Sequence, residues 1–484
     1  MNRCPAFCLL SALPFLVSAL PASKLRAGET LEVGKRWELF ATGDLVEEPS
    51  GDLSWQVHQP RPGDVVFSAD APWEGNTSGY YTVFQDGPIY RLYYRGWAHD
   101  PQTKRQLRSE VTCYVESDDG RYWRRPDLGL LEFAGSKRNN LILSSGNGVH
   151  NFTPFRDENP ACPPEARYKA LGGSREKGKH GLMAFHSADG IHWEQAGKDP
   201  VITAGAFDSQ NLAFWDSHRG EYRAYWRIFT KGVADGQAWK PEGFRAIRTA
   251  TSKDFVHWEP HEDLTYTGGV PDQHLYTNAV QPYFRAPHLF VGFPTRFLPE
   301  EGERVEPVFM ISRDGVRFRR FAEPLILETA PADRQGNRSN YMTWGLVQLP
   351  GRPDEMTVYA TEAYYGEEPG RIRAFTWRLD GFVSLRAGEK GGESLSRPLL
   401  FSGKELVLNY AVGSPRGSVR AGLLDENGAP IPGYSLDESI ALTGDSLEGA
   451  ISWPKGGDLS GLAGKPVRVV FRLVEADLYA MRFR

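Results

Sequence analysis

The stretch "SADGIHWE" at residues 187–194 decides the fold, because the chain returns to it along its length. "SDDGRYW" stands at 117–123, "SKDFVHW" at 252–258, "SRDGVRF" at 312–318 and a shorter form, "RLDGFV", at 378–383. In each, Asp-Gly or its equivalent supplies a hairpin turn, and the Ser or Asp side chain can bond the turn backbone. The closing aromatic is expected to open a fourth strand and pack between neighbours. The turn positions 119, 189, 254, 314 and 380 are 70, 65, 60 and 66 residues apart.

A similar series precedes each phrase. Tyr- or Phe-bearing strands come first: "YRLYYRG", "RYKALGG", "EYRAYWRIF", "HLFVGFPTRF" and "MTVYATEAYY". A third strand then leads into the turn: "EVTCYVES", "GLMAFHS", "FRAIRTATS", "VEPVFMIS" and "RIRAFTW". Four strands per period, five times over, predict an all-β chain built on a five-bladed β-propeller; the regular period argues against a generic run of hairpins in a sandwich. Five blades leave a narrow axial funnel, suited to a small ligand rather than a protein.

Composition agrees. The 484 residues are 12% aromatic, with 13 Trp and 20 Tyr, and they carry 51 Gly and 34 Pro, a mixture that suits short strands and turns. After about residue 392, "GGESLSRPL" reads as a linker, and the alternating strands of 393–484 read as a β-sandwich. The propeller is assigned to 24–392, with 25–65 closing the ring or covering its side. Residues 1–23, "MNRCPAFCLLSALPFLVSALPAS", have a basic start, an apolar middle and small residues at the end. They read as a secretory signal cleaved near Ala19 or Ala22, which predicts a secreted or periplasmic protein with no membrane span. Net charge is −5 with scattered Lys and Arg, so no basic stripe points to nucleic acid. Cys4 and Cys8 leave with the signal; Cys113 and Cys162 remain, either as a disulfide or as two thiols.

The stretches "APWEGNTSGYYTVFQDG", "HNFTPF", "FDSQNLAFWD", "HLYTNAVQPYFRAPH" and "YMTWGLVQ" carry a resemblance across nearly the whole mature chain. They resemble the five-bladed-propeller glycoside hydrolases, the group of invertase- and levanase-like and arabinanase- and xylosidase-like enzymes. The likeness is closer still to uncharacterised secreted bacterial proteins described as glycosyl-hydrolase-like. It implies a carbohydrate substrate, and a C-terminal sandwich is common in the invertase-like branch. The marks of that branch, "WMNDPNG", Arg-Asp-Pro and Glu-Cys, are missing, so residue roles transfer by position only.

In a propeller, residues at the start of each innermost strand face the funnel. Those positions give Trp73 and Glu74; His150 and Asn151; Asp208; Asp272, His274, Tyr276 and Asn278; then Arg338, Tyr341 and Trp344, with Glu362 one strand later. Glycosidic cleavage needs a protonated carboxyl for the leaving oxygen and an ionised one to attack carbon or activate water. The catalytic candidates are therefore Glu74, Asp208, Asp272 and Glu362. By position, the resemblance implies that Glu74 is the base or nucleophile and that Asp208 orients the sugar. Asp272 and Glu362 compete as acid, with Asp272 favoured because it leads directly into an innermost strand. Trp73, Tyr276 and Trp344 are expected as sugar platforms, with His150, Asn151, His274, Asn278 and Arg338 as substrate contacts. No cofactor is implied, although an axial Ca²⁺ would leave no spacing signature. Asp119, Asp189, Asp254 and Asp314 are expected to be structural. Alternatives are a non-catalytic carbohydrate-binding propeller and a sialidase-like enzyme, whose box is one residue longer. A phosphorolytic enzyme would need a cationic cluster of which only Arg338 is evident.

Overall fold

The computed structural model describes residues 29–47, 49–235, 238–327 and 341–484; the signal segment and Arg338 lie outside them. The described chain is strand with short 3₁₀ turns. Among the described residues, no helix is long and apolar enough to cross a membrane.

Five sheets follow the five repeats. Blade one uses Gly79–Asp86, Ile89–Gly96, Val111–Ser117 and Leu141–Leu143, and blade two uses Thr153–Arg156, Tyr168–Gly173, Leu182–Ser187 and Glu194–Gln195. Blade three contains two 14-residue strands, Glu221–Ala234 and Trp239–Ser252, a hairpin longer than its neighbours. Blade four is built on Ala286–Gly292, Arg304–Ser312 and Arg317–Pro324. Blade five pairs Glu355–Glu362 with Arg371–Arg378, and its outer strand comes from the other end of the chain, Arg61–Ser68. The ring is thus fastened by hydrogen bonds between distant parts of the sequence. The strands Leu31–Gly34 and Ser50–Val57 instead join the C-terminal ten-stranded sheet, in which Val383–Leu395 runs through residue 392.

The repeated phrase explains how blades are clasped. Ser117 Oγ and Asp119 Oδ1 hold the turn by accepting from the amides of Gly120, Arg121 and Tyr122. The same bonds recur at Ser187/Asp189 and Ser312/Asp314. These amide bonds help hold Asp119 below the usual carboxylate range and Asp189 at about 2, against burial, which raises both. The glycine carbonyl of each such turn then accepts a tyrosine hydroxyl from the preceding blade. Tyr93 donates to Gly190 at 2.9 Å, Tyr225 to Gly315 at 2.8 Å, and Tyr359 of the last blade to Gly120 of the first at 2.6 Å. The phrase's aromatic packs on that tyrosine: Trp193 on Tyr93, Phe318 on Tyr225, Trp123 on Tyr359. Between blades four and five, Tyr283 donates instead to Asp380 at 2.5 Å. A turn phrase that looked local is the joint of the ring.

Gly120 must be glycine. Its φ is +71°, and a Cβ there would lie 2.5 Å from Leu349 Cδ2 and 2.8 Å from the Tyr359 hydroxyl. Near the axis, Gln210 donates to the Tyr81 carbonyl at 3.0 Å, and Val83 and Trp344 exchange backbone bonds with blades five and one. Cys113 and Cys162 are both free thiols, in the core of blade one and beside Lys169 of blade two.

Candidate active site

The second strands of three blades carry the clasp tyrosines Tyr93, Tyr225 and Tyr359, and blades two and four have Leu171 and Phe290 at the matching place in the repeat. Two residues further on stand Arg95, Arg227, Thr361, Gly173 and Gly292. Two are arginines, and Gly173 and Thr361 line the two cavities that follow.

The larger cavity, of about 390 Å³, opens between blades two and three. His150, Asn151 and Asp208 line it, with Arg175, His180 and Phe207, and Trp239 from the long hairpin stands at its edge. His150 is 17% exposed and links two carboxylates: Nδ1 lies 2.7 Å from Glu110 Oε1, and Nε2 lies 2.9 Å from Asp208 Oδ1. An imidazole facing an acceptor at each nitrogen meets both as donor only when it carries both protons. Glu110 is buried and also paired with Arg175. Burial works to raise Glu110, but the His150 bond and charge, with Arg95 and Arg175, bring it below its ordinary value. Asp208 is the outward member, with its side chain 58% exposed. The His150 hydrogen bond, then the Arg227 charge 3.7 Å away, holds its carboxyl well below the usual range. Asp208 is therefore an ionised carboxylate presented to an open cleft. Tyr80 and Trp97 pack edge-on against His150 at 5.8 and 6.1 Å.

A smaller recess of about 20 Å³ adjoins it, lined by Tyr80, Tyr276, Tyr341, Thr361 and Tyr364. Burial holds the Tyr80 and Tyr341 phenols protonated, far above their ordinary value. Arg227 and Arg245 each lie 5.2 Å from the Tyr276 ring, and Arg95 lies 4.6 Å from that of Tyr80.

Asp208, His150 and Asn151 thus share one cleft, and Tyr276 is beside it. Asn151 is buried and structural in its bonds, donating to the Ser209 carbonyl and accepting from Gly173 N. The other carboxylates sit elsewhere. Glu74, 2% exposed, is clamped in blade one by Arg125 at 3.0 and 2.7 Å, by Ala71 N at 2.9 Å and by the Tyr94 hydroxyl. Every acceptor direction of that carboxylate is used inside the blade, so it does not face the funnel. Glu362 is likewise buried between Arg371 and Arg373, at 3.0 and 2.6 Å. Its strand turns Thr361, not Glu362, toward the recess. Asp272 is exposed, near Tyr266 and Arg320 of blade four. The expectation of two of these four carboxylates in one axial cavity is corrected accordingly: only Asp208 lines either cavity.

The remaining platforms shift too. Trp73 donates to Asn140 at 2.7 Å and packs on Phe133. Trp344 donates to the Val280 carbonyl at 2.9 Å within the blade core. Asn278 is buried, reaching the Gln210 carbonyl at 3.3 Å. His274 accepts from Arg245 N at 3.0 Å between Phe244 and Phe297, and burial lowers it. Glu110, Arg95, Arg175, Arg227, Arg245 and Trp239 were not anticipated. Among the described residues, no group of three or more His, Cys, Asp or Glu is arranged for a metal ion.

No protein-family profile matches the chain. An uncharacterised protein of Mycobacterium tuberculosis, found in strains H37Rv and CDC 1551, is 27% identical over 163 residues, 32% of this chain and 42% of the relative. The chain therefore spans less than half the length of the curated relatives it matches. Among solved structures it is similar to an N-acetylgalactosamine deacetylase from F. plautii, with 13% identity, TM-score 0.48, and coverage of 69% of this chain and 97% of that one. A glycosyl hydrolase from Bacteroides ovatus shows 14% identity, TM-score 0.42, and coverage of 67% and 94%. A β-1,2-mannobiose phosphorylase from Listeria innocua shows 12% identity, TM-score 0.44, and coverage of 72% and 98%. These likenesses concern the propeller-like fold.

Proposed function

We propose that the chain is a secreted glycan-processing enzyme, a glycoside hydrolase whose working carboxylate is Asp208. The observation that supports this best is the Glu110–His150–Asp208 line ending at an aromatic-edged cleft. Cleavage breaks the bond from the anomeric carbon to the leaving oxygen; water adds to the carbon and gives its proton to a carboxylate, and the leaving oxygen takes a proton from solvent. Asp208 is the ionised partner in that step. His150, braced by Glu110, fixes its orientation, as a base is fixed by a third group in other catalytic relays. Trp239, 53% exposed at the cleft edge, offers its face to a sugar ring.

One observation favours the second reading, a non-catalytic carbohydrate-binding propeller. Both cleft carboxylates are held in the ionised form, so neither is a ready proton donor. Glu74 and Glu362 are tied to arginines outside the cleft.

The test is product release from a panel of plant and algal polysaccharides and aryl glycosides by residues 24–484, beside Asp208→Asn. Release by wild type and its loss in Asp208→Asn, with near-UV circular dichroism unchanged, supports the hydrolase. Binding of the same glycans without release by either protein favours the binding propeller.

A further inference from the structure

The tyrosine-lined recess carries more positive charge than its surroundings neutralise. Arg95 is buried between the rings of Tyr80 and Trp97, 4.6 Å from each. It donates to the Thr77 carbonyl at 3.1 Å and the Tyr364 hydroxyl at 2.9 Å, while its Nε has no partner. Arg245 is half-buried among Phe229, Tyr276 and Phe297, and its Nε is buried without a partner. Among the described residues, neither arginine has an ion-pair partner. Arg227, also buried, donates from Nε to the Ala206 carbonyl at 3.1 Å and has the exposed Asp208 at 3.7 Å as its ion-pair partner. Glu110, the other acidic group here, is taken up by His150 and Arg175.

The contrast within the same ring is instructive. The guanidiniums of Arg125, Arg285, Arg313 and Arg373 each meet a buried carboxylate at 2.6–2.7 Å. A buried cation without such a partner is costly unless a counter-charge arrives. Here three guanidiniums lie against the rings of Tyr80 and Tyr276, and the carboxylates facing them are the exposed Asp208 and the buried Glu110, which His150 and Arg175 also share. The recess itself, at about 20 Å³, has room for one oxygen-sized group, such as a single oxygen of an oxyanion, and not for a sugar ring.

We propose that the Arg95–Arg227–Arg245 cluster with Tyr80 and Tyr276 is an oxyanion subsite next to Asp208. Guanidinium and phenol donors together match carboxylate, sulfate or phosphate oxygens. The oxyanion belongs either to an acidic sugar whose ring lies in the adjoining cleft or to free inorganic phosphate. The inference deepens the glycan-processing reading and rests on it for the sugar, though not for the anion.

Isothermal titration with inorganic phosphate, D-glucuronate and D-glucose separates the cases. Wild type, Arg245→Gln and the surface control Arg138→Gln, whose side chain is 86% exposed, are compared at 20 and 300 mM NaCl. The expected result is binding of at least one anion, weaker in high salt, with glucose silent at the same concentrations. Arg245→Gln should weaken that binding at least tenfold and Arg138→Gln should leave it unchanged. Glucuronate alone binding assigns the acidic sugar; phosphate alone binding assigns the free ion. Glucose and both anions behaving alike on wild type, or equal effects of the two substitutions, would overturn the subsite. Wild-type selectivity decides even if Arg245→Gln misfolds. Anion binding without glycan turnover sinks the hydrolase reading and leaves the subsite standing; turnover lost in Asp208→Asn without anion binding does the reverse.

Discussion

Replacing Glu74 with Gln should cost stability and spare chemistry. The Glu74 carboxylate is wholly buried and meets Arg125 through both oxygens, with Ala71 N and the Tyr94 hydroxyl completing its shell. The amide keeps the shape but removes the charge and turns one oxygen into a donor facing Arg125 or Tyr94. Breaking one side of a buried pair costs about 3–5 kcal/mol. Arg125 is 29% exposed and regains some hydration, so the lower end applies, about 3 kcal/mol. With a urea slope near 3 kcal/mol/M, the unfolding midpoint falls by roughly 1 M. Tryptophan fluorescence in urea gives that midpoint, and product release per folded molecule gives the chemistry. A Glu74→Gln protein with the wild-type midpoint and no turnover would refute the structural assignment and return Glu74 to the active site.

Other expectations follow from the same contacts. Gly120→Ala, which drives a methyl into Leu349 and Tyr359 at the ring closure, should destabilise by more than Tyr359→Phe. The latter loses one hydrogen bond and strands a carbonyl, for about 1–3 kcal/mol, and urea midpoints rank the two. Trp239→Ala removes an exposed ring and should leave the midpoint unchanged while raising KM for glycan roughly 3- to 10-fold, the worth of about 0.5–1.5 kcal/mol of ring contact. Because the folded-state Asp208 carboxyl is depressed, its charge persists down through the ordinary carboxylate range and is lost only as pH falls well below it. The acid limb of kcat/KM assigned to Asp208 should therefore lie below about pH 4 in wild type and move upward in His150→Ala. An unmoved limb would separate Asp208 from His150.

The ring was legible because four of the five blades reuse the same Ser/Asp turn, and three of those turns accept a neighbouring tyrosine. Ser, Asp, Gly and an aromatic must coincide to hold the turn and accept the neighbouring tyrosine, so they recur at a fixed period. The carboxylates were misplaced for a related reason. A carboxylate before an innermost strand can turn to the funnel or into its own blade, and the choice depends on a partner far along the chain: Arg125 for Glu74, Arg371 and Arg373 for Glu362. Asp208 instead lines the cleft, where His150 and Arg227 stand beside it. Arg95 and Arg227 were hidden in alternating strands, where an arginine reads as a solvent-facing residue. Superposing the five repeats on their clasp position would have exposed them, since both stand two residues past a tyrosine whose hydroxyl reaches the next blade. Arg245 and Trp239 follow the long hairpin of blade three, whose extra length has no counterpart in the other repeats.

The most direct measurement is the location of a bound oligosaccharide in crystals of Asp208→Asn, using a glycan that the panel identifies. The account predicts a sugar ring beside Trp239, with a glycosidic oxygen or anomeric carbon within hydrogen-bonding reach of position 208. A glycan seated on the C-terminal sheet, or in the ring but remote from position 208 and His150, would contradict it.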